Sequence, residues 1–286
     1  MDIVTLRSPV YLPSVDAFTH WSLSALQVFL WAAFLFGQSA PGQRENCCQV
    51  VELRQYTLYP GKRDVLINLF EREFVESQEA LGMQLVGQFR DLDNPDRFVW
   101  LRGFRDMNSR KEALEGFYGG PAWKAHREEA NATMADSSNV LLLRAADAGS
   151  EFALAGLSRP PVGASKRSNS LMAATIYYLA APVDDTFVAL FEKQLTPVMT
   201  ATGAQPFAYF ETETAENNFP RLPVRTGENV FVWFALFPNA DAYTAHLHRL
   251  ERTKVWNETL QPELSRFLKS PTQHLRLEPT PRSLLR

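Results

Sequence analysis

One pair of spacings constrains the fold of this chain more than any other feature. The run FVWLRGF beginning at Phe98 returns as FVWFALF beginning at Phe231, and each is followed by a helical stretch reaching a tryptophan. Trp100 and Trp233, Phe104 and Phe237, and Trp123 and Trp256 are all 133 residues apart. Upstream, Tyr56 and Tyr177, Phe70 and Phe191, Glu71 and Glu192, Gly82 and Gly203, and Phe89 and Phe210 are all 121 apart. Two sets of positions held in phase over that length predict two copies of one unit. The difference, 133 − 121 or 12 residues, is then an insertion in the second copy, within residues 212–229 (TETAENNFPRLPVRTGEN). Its Asn, Pro, Thr and Gly content reads as an extended loop of the kind used as a lid or left mobile.

Each unit reads as β-α-β-β-α-β. QVVELRQYTL from Gln49 is strand-like and ends at the turn pair Pro60-Gly61. A helix follows over 62–80, with Val65, Leu66, Leu69, Phe70 and Phe74 at helical spacing and Gly82 after it as a stop. MQLVGQFR and FVWLRGF form a hairpin about Asn94-Pro95-Asp96. A second helix, capped by Asn108 or Ser109, carries Leu114, Phe117 and, beyond a Gly-Gly-Pro break, Trp123. VLLLR at 140–144 closes the unit. The fold class expected is α+β, two tandem ferredoxin-like units forming an α/β barrel within one chain. The boundaries expected are 49–147 for repeat 1, 148–169 for a linker rich in Pro and Ser, and 170–280 for a divergent repeat 2, with a frayed tail after Pro279.

Residues 1–48 stand apart. The apolar run at 21–36 is shorter than the roughly 20 residues that span a bilayer. Its flanks, with Asp2 and Asp16 against one arginine, make a poor signal-peptide n-region. An appended extension or a start placed too far upstream is the expected reading, giving a cytoplasmic protein, or an exported one if residues 21–39 act as a signal. The net charge of −3 supports no nucleic-acid partner. Cys47 and Cys48 are adjacent, and neighbouring cysteines fit disulfide geometry badly, so two inert thiols are expected. No Cys, His or carboxylate spacing argues for a metal, and no Gly-rich phosphate loop or nucleophile elbow is present.

Strand alternation divides the residues between two faces. We assign Val51, Leu53, Val99, Leu101 and Gly103, with Val232, Phe234 and Leu236 of the second copy, to the side under the helices. That assignment turns Glu52, Arg54 and Tyr56 of strand 1, and Phe98, Trp100, Arg102 and Phe104 of strand 3, toward the barrel. The second copy replaces the first set with Ala173, Thr175 and Tyr177, and Trp100 and Arg102 with Trp233 and Ala235. Charge is thus kept in one copy and lost in the other.

VVELRQYTLYPGKRD, FVWLRGF and GGPAWKAHR together resemble the NIPSNAP family of the dimeric α/β-barrel superfamily, over roughly residues 49–145. The resemblance implies a tandem ferredoxin-like barrel of largely uncharacterised activity, in a superfamily that includes cofactor-free monooxygenases, haem-binding enzymes and isomerases. We expect a small organic ligand, anionic or aromatic, inside the barrel. Glu52, Arg54, Trp100, Arg102, Trp123, Tyr177 and Trp233 are the candidate binding residues. His126 and Tyr56 are the candidate proton handlers for cofactor-independent oxygenase or isomerase chemistry, since imidazole titrates nearest neutrality. The competing reading is a non-catalytic binding or scaffold protein whose inward charges pair among themselves. No cofactor and no stable membrane span is expected, and a homodimer is left open.

Overall fold

The computed structural model describes residues 48–286. The expected N-terminal extension, with its signal-like run, lies outside the described residues apart from Cys48. That residue is not the inert thiol expected, for it is disulfide-bonded. Repeat 1 consists of β1 (Val50–Leu58), α1 (Arg63–Leu69), α2 (Val75–Glu79), β2 (Gln84–Asp91), β3 (Arg97–Phe104), α3 (Met107–Gly119), α4 (Pro121–Asn131), a short β4 (Met134–Asp136) and β5 (Val140–Ala145). Repeat 2 consists of β6 (Leu171–Tyr178), α5 (Asp185–Leu190), α6 (Thr196–Thr202), β7 (Pro206–Thr212), β8 (Val230–Phe237), α7 (Ala240–Glu251), α8 (Gln261–Phe267) and β9 (Gln273–Pro279).

The strands run in the order β3-β2-β9-β6-β8-β7-β5-β1, and β1 pairs again with β3. Eight antiparallel strands therefore close into a barrel, while β4 adds only to β1. Within each repeat the central pair is long: β1 and β3 match from Val50↔Phe104 to Thr57↔Arg97. β6 and β8 repeat the match from Leu171↔Phe237 to Tyr178↔Val230. The repeats join at two short seams, β2 with β9 and β5 with β7. One chain supplies both halves, so closure needs no second copy.

The first helix of each repeat carries the same irregularity. α1 and α2 are joined by a π-helical segment, Phe70–Phe74, and α5 and α6 by another, Phe191–Leu195. The two segments are 121 residues apart, the spacing already read from the sequence. Gly82 and Gly203 follow these helices at φ +84° and +109°, a left-handed backbone that a side chain would strain. The cap of α3 is Asp106 rather than Asn108 or Ser109. Its carboxylate accepts from Ser109 N at 2.7 Å, and Ser109 Oγ in turn accepts from the Asp106 amide at 2.9 Å. A carboxylate at the helix start also meets the dipole, which a seryl cap does not.

The facing expected from alternation is inverted. Val51, Leu53, Val99, Leu101, Ala174, Ile176, Val232 and Phe234 form one buried cluster that fills the barrel interior, with Leu275 and Leu277 from β9. Tyr56, Phe98, Trp100 and Phe104 instead pack beneath the helices of repeat 1 with Leu66, Phe70, Phe74 and Phe117. Tyr177, Phe231 and Trp233 do the same in repeat 2. An eight-stranded barrel is just wide enough to be filled by its own side chains. Uniformly apolar residues suit that interior, whereas charged ones need partners that only the helices and loops can bring. The charged and aromatic residues expected to line the barrel therefore face the helices, and the candidate ligand site moves with them.

Two segments read as loose are built in. In the 148–169 connection Phe152 is fully buried against Phe210 and Phe234, with ring centroids 4.9 and 5.1 Å away, and so stops the barrel interior. The tail after Pro279 is not frayed. Leu284 and Leu285 join the interior cluster, Leu285 N donates to Val86 O, and Ser283 Oγ accepts from Gln88 N. Gly87 permits this approach, since a Cβ there would meet Ser283 Oγ at 3.2 Å and collide with the Phe89 ring. Leu285→Ala is expected to lower folding stability by about 2–3 kcal/mol. Urea denaturation checks this, and an unchanged midpoint would show the tail to be dispensable.

Candidate functional site

Four charged side chains meet beneath the helices of repeat 1. Glu52 and Arg54 stand two apart on β1, and Arg102 stands opposite Glu52 on β3. The first turns of α3, set by the Asp106 cap, bring in Arg110. All four are fully buried. Glu52 Oε2 accepts from Arg54 at 2.7 Å and from Arg102 Nε at 2.8 Å, and its Oε1 accepts from Arg110 Nε at 2.8 Å. Burial alone would raise the Glu52 pKa, but the guanidiniums of Arg102, Arg54 and Arg110 outweigh it and hold the carboxyl well below the usual carboxylate range.

Neutral partners come from two further segments. Arg102 donates to Gln78 Oε1 at 2.9 Å, and the Gln78 amide donates to the Phe74 carbonyl of the π segment at 2.8 Å. Such irregular turns recur at working sites because they expose a carbonyl that regular α-helix would use. Arg110 donates to Asn217 and Asn218 Oδ1 at 3.1 and 2.9 Å, both on the loop inserted in repeat 2. The Asn218 amide donates to Met107 O, and Phe219 stacks on Tyr118 at 5.7 Å. The extra residues of repeat 2 thus cross over and cover the site of repeat 1. Arg110 and these loop residues were invisible in the sequence, since nothing in an isolated arginine or an Asn pair marks a partner about a hundred positions away.

Three guanidiniums cannot shed their protons, and among the described residues no second carboxylate touches them. Arg54 NH2 has no partner. Beside the cluster lies a cavity of about 30 Å³ walled by Tyr56, Phe70, Phe74, Trp100, Phe117 and Trp123. Arg54 and Arg102 lie over the two faces' worth of aromatic surface there, Arg54 at 5.3 Å from Tyr56 and Arg102 at 5.0 Å from Trp100. Tyr56 Oη accepts from Arg54 Nε at 2.9 Å, which leaves its own hydrogen to donate. Burial pushes the Tyr56 phenol up, against the pull of Arg54, so it is a donor and not a base. Trp100 Nε1 is buried and makes no hydrogen bond.

Of the sequence candidates, Glu52, Arg54, Tyr56, Trp100, Arg102 and Trp123 are brought together. His126 is not. It sits half-buried on the face of α4 that packs on the π segment, with Nε2 3.4 Å from Glu73 and its ring 6.3 Å from Phe74, and is not among the residues that line the cavity. Tyr177 and Trp233 belong to the corresponding place in repeat 2, far side of the barrel from the charged cluster. Among the described residues no group of His, Cys, Asp or Glu is placed to hold a metal ion. None of their helices is long and apolar enough to cross a membrane.

The NIPSNAP family model matches residues 51–148, the span that carries all four charged residues. The first repeat is a NIPSNAP domain. No curated protein matches the chain. Among solved structures, an anthrone oxidase-like protein is 10% identical and is matched over 84% of this chain and 94% of its own, with a TM-score of 0.54. A candidate monooxygenase from Fusobacterium nucleatum subsp. nucleatum is also 10% identical, over 81% of this chain and 92% of its own, at a TM-score of 0.51. An uncharacterised NIPSNAP domain protein from Burkholderia xenovorans is 19% identical over 33% of this chain and 91% of its own, at 0.30. At these identities the first two share the tandem barrel and nothing finer. Outside the NIPSNAP repeat, the second half of the barrel keeps the fold and has exchanged the site residues.

Proposed function

We propose that the NIPSNAP repeat binds a small organic anion with an aromatic or apolar body in the pocket between sheet and helices. The observation that carries this is the charge count: three buried guanidiniums face one carboxylate. Buried charges are normally matched, and an unmatched excess is costly unless a ligand completes it. A carboxylate or similar group entering beside Arg54 would also take up the Trp100 indole N–H and the Tyr56 hydroxyl hydrogen. The aromatic wall would receive the rest of the molecule. The cavity holds little more than a water in this conformation, so entry requires side chains of its aromatic wall to move apart.

In this reading Tyr56 donates to the ligand and the chain binds without turning it over. Isomerase chemistry would need a base next to the ligand, and the polar groups lining the pocket, Tyr56, Gln78, Trp100 and Tyr118, include no carboxylate or imidazole. The test is a thermal-shift titration of the full chain with benzoate and phenyl phosphate. A saturable rise in Tm is expected, about 2.7 kcal/mol of stabilisation at a hundred times Kd. It should vanish in Arg54→Met and weaken at least tenfold in Trp100→Phe. No rise with either anion, or the same rise in both variants, would instead make the cluster an internal structural network.

A further inference from the structure

Repeat 2 holds a second cavity, the counterpart of the aromatic pocket that adjoins the ions of repeat 1. Every charged position has been exchanged for a neutral one: Glu52 corresponds to Ala173, Arg54 to Thr175, Arg102 to Ala235 and Arg110 to Tyr243. Gln78, which braces Arg102, corresponds to Met199. The backbone has not closed up to compensate, since β6 and β8 keep the register of β1 and β3. The pocket that measures about 30 Å³ in repeat 1 is enlarged here to about 190 Å³ between the sheet and α7–α8, with Thr175 in the place of Arg54.

The walls are aromatic and aliphatic, chiefly Tyr177, Trp233, Trp256, Leu250 and Leu264. Two of the polar groups on its wall, Trp233 and His246, have unused capacity. Trp233 Nε1 is buried, lies close to the Tyr177 hydroxyl but outside hydrogen-bond geometry, and makes no hydrogen bond. His246 is buried, and its Nδ1 lies 3.0 Å from Thr202 Oγ1. The Thr202 hydroxyl already donates to the carbonyls of Val198 and Met199, both at 2.9 Å, so it must accept from His246. That fixes the proton on Nδ1 and leaves Nε2 as an acceptor. Burial lowers the His246 pKa and keeps the ring neutral, with Arg249 adding to the effect. A third polar pair, Thr175 Oγ1 and His274 Nδ1 at 3.3 Å, stands where repeat 1 pairs Arg54 with Val140.

From this we infer that the repeat-2 cavity is a second binding site, for a neutral aromatic molecule of one or two rings carrying an O–H or N–H donor. Size sets the ring count, for a cavity of about 150 Å³ admits benzene. The missing charges set the neutrality, because an anion would meet no cation and a desolvation cost. The imidazole acceptor and indole donor set the hydrogen-bonding class, and phenol and indole are its simplest members. This inference stands apart from the anion site of repeat 1, which could fail without touching it.

The experiment is isothermal titration of the full chain with indole and with phenol. Each is expected to bind saturably, and benzoate should not displace it. Thr175→Leu, which fills the cavity floor, should weaken indole binding at least tenfold. Leu247→Trp, at the rim and away from the buried floor, should do the same if the first variant fails to fold. Arg54→Met should leave indole binding unchanged, which separates the two sites. No measurable indole or phenol binding, or equal indole affinity in wild type and in the folded cavity-filling variants, overturns the proposal.

Discussion

Glu52→Ala is expected to cost about 3–5 kcal/mol of folding stability, because it leaves buried guanidiniums with no anion between them. For a domain of this size that is roughly a 10 °C fall in Tm. Arg54→Met should behave differently. It leaves Glu52 held by Arg102 and Arg110 and reduces the surplus of positive charge, so its cost should stay within about 1 kcal/mol. Chemical denaturation of the two variants decides the matter, and equal costs would mean the cluster lacks no negative charge. A pH series gives the same answer independently. The folded-state pKa of Glu52 is depressed, so its contribution is fully present above the unfolded value near 4.3 and fades as pH falls toward the lower folded value. The advantage of wild type over Glu52→Gln should therefore shrink below about pH 4 and be constant from pH 5 to 8.

Phe234→Ala should be equally damaging for an unrelated reason. Phe234 is fully buried inside the barrel, with Phe152 and Phe210 at 5.1 and 6.0 Å. A ring of hydrogen-bonded strands fixes the diameter, so neighbours cannot collapse into the space, and a loss of about 3–5 kcal/mol follows. Leu236, two residues along the same strand, reaches solvent with 38% of its surface exposed. Its replacement by alanine should cost less than about 1 kcal/mol. Urea midpoints at constant m-value test both. Similar losses at the two positions would refute a filled, closed interior.

The architecture was readable because it is repeated. Trp100 and Trp233, Gly82 and Gly203, and even the π-helical turns keep their spacing, and a repeated pattern survives divergence of single residues. Alternation also sorted β1 correctly into Val51 and Leu53 against Glu52, Arg54 and Tyr56. It could not say which set faces the helices, since period two defines two faces and labels neither. The clue available was chemical: the interior set is apolar in both copies, whereas Glu52, Arg54 and Arg102 require partners. Those partners are Gln78, Arg110 and the Asn217-Asn218 pair, which come from distant segments and cannot be seen from β1 alone. His126 was singled out for its imidazole alone, and the structure places it beside Glu73 and off the cavity wall. His246 and His274 were passed over because they match no motif, and only the structure shows them lining one cavity.

The join between the two halves has a consequence for how such a protein can change. When two identical subunits build a barrel, symmetry writes each substitution into both halves at once, and a site cannot be altered in one without the other. Joining the halves through residues 146–170 removes that restriction. One half of this chain retains four buried ions under a borrowed loop, and the other has surrendered them for open space. Covalent fusion has turned a duplicated pocket into two that can be selected separately.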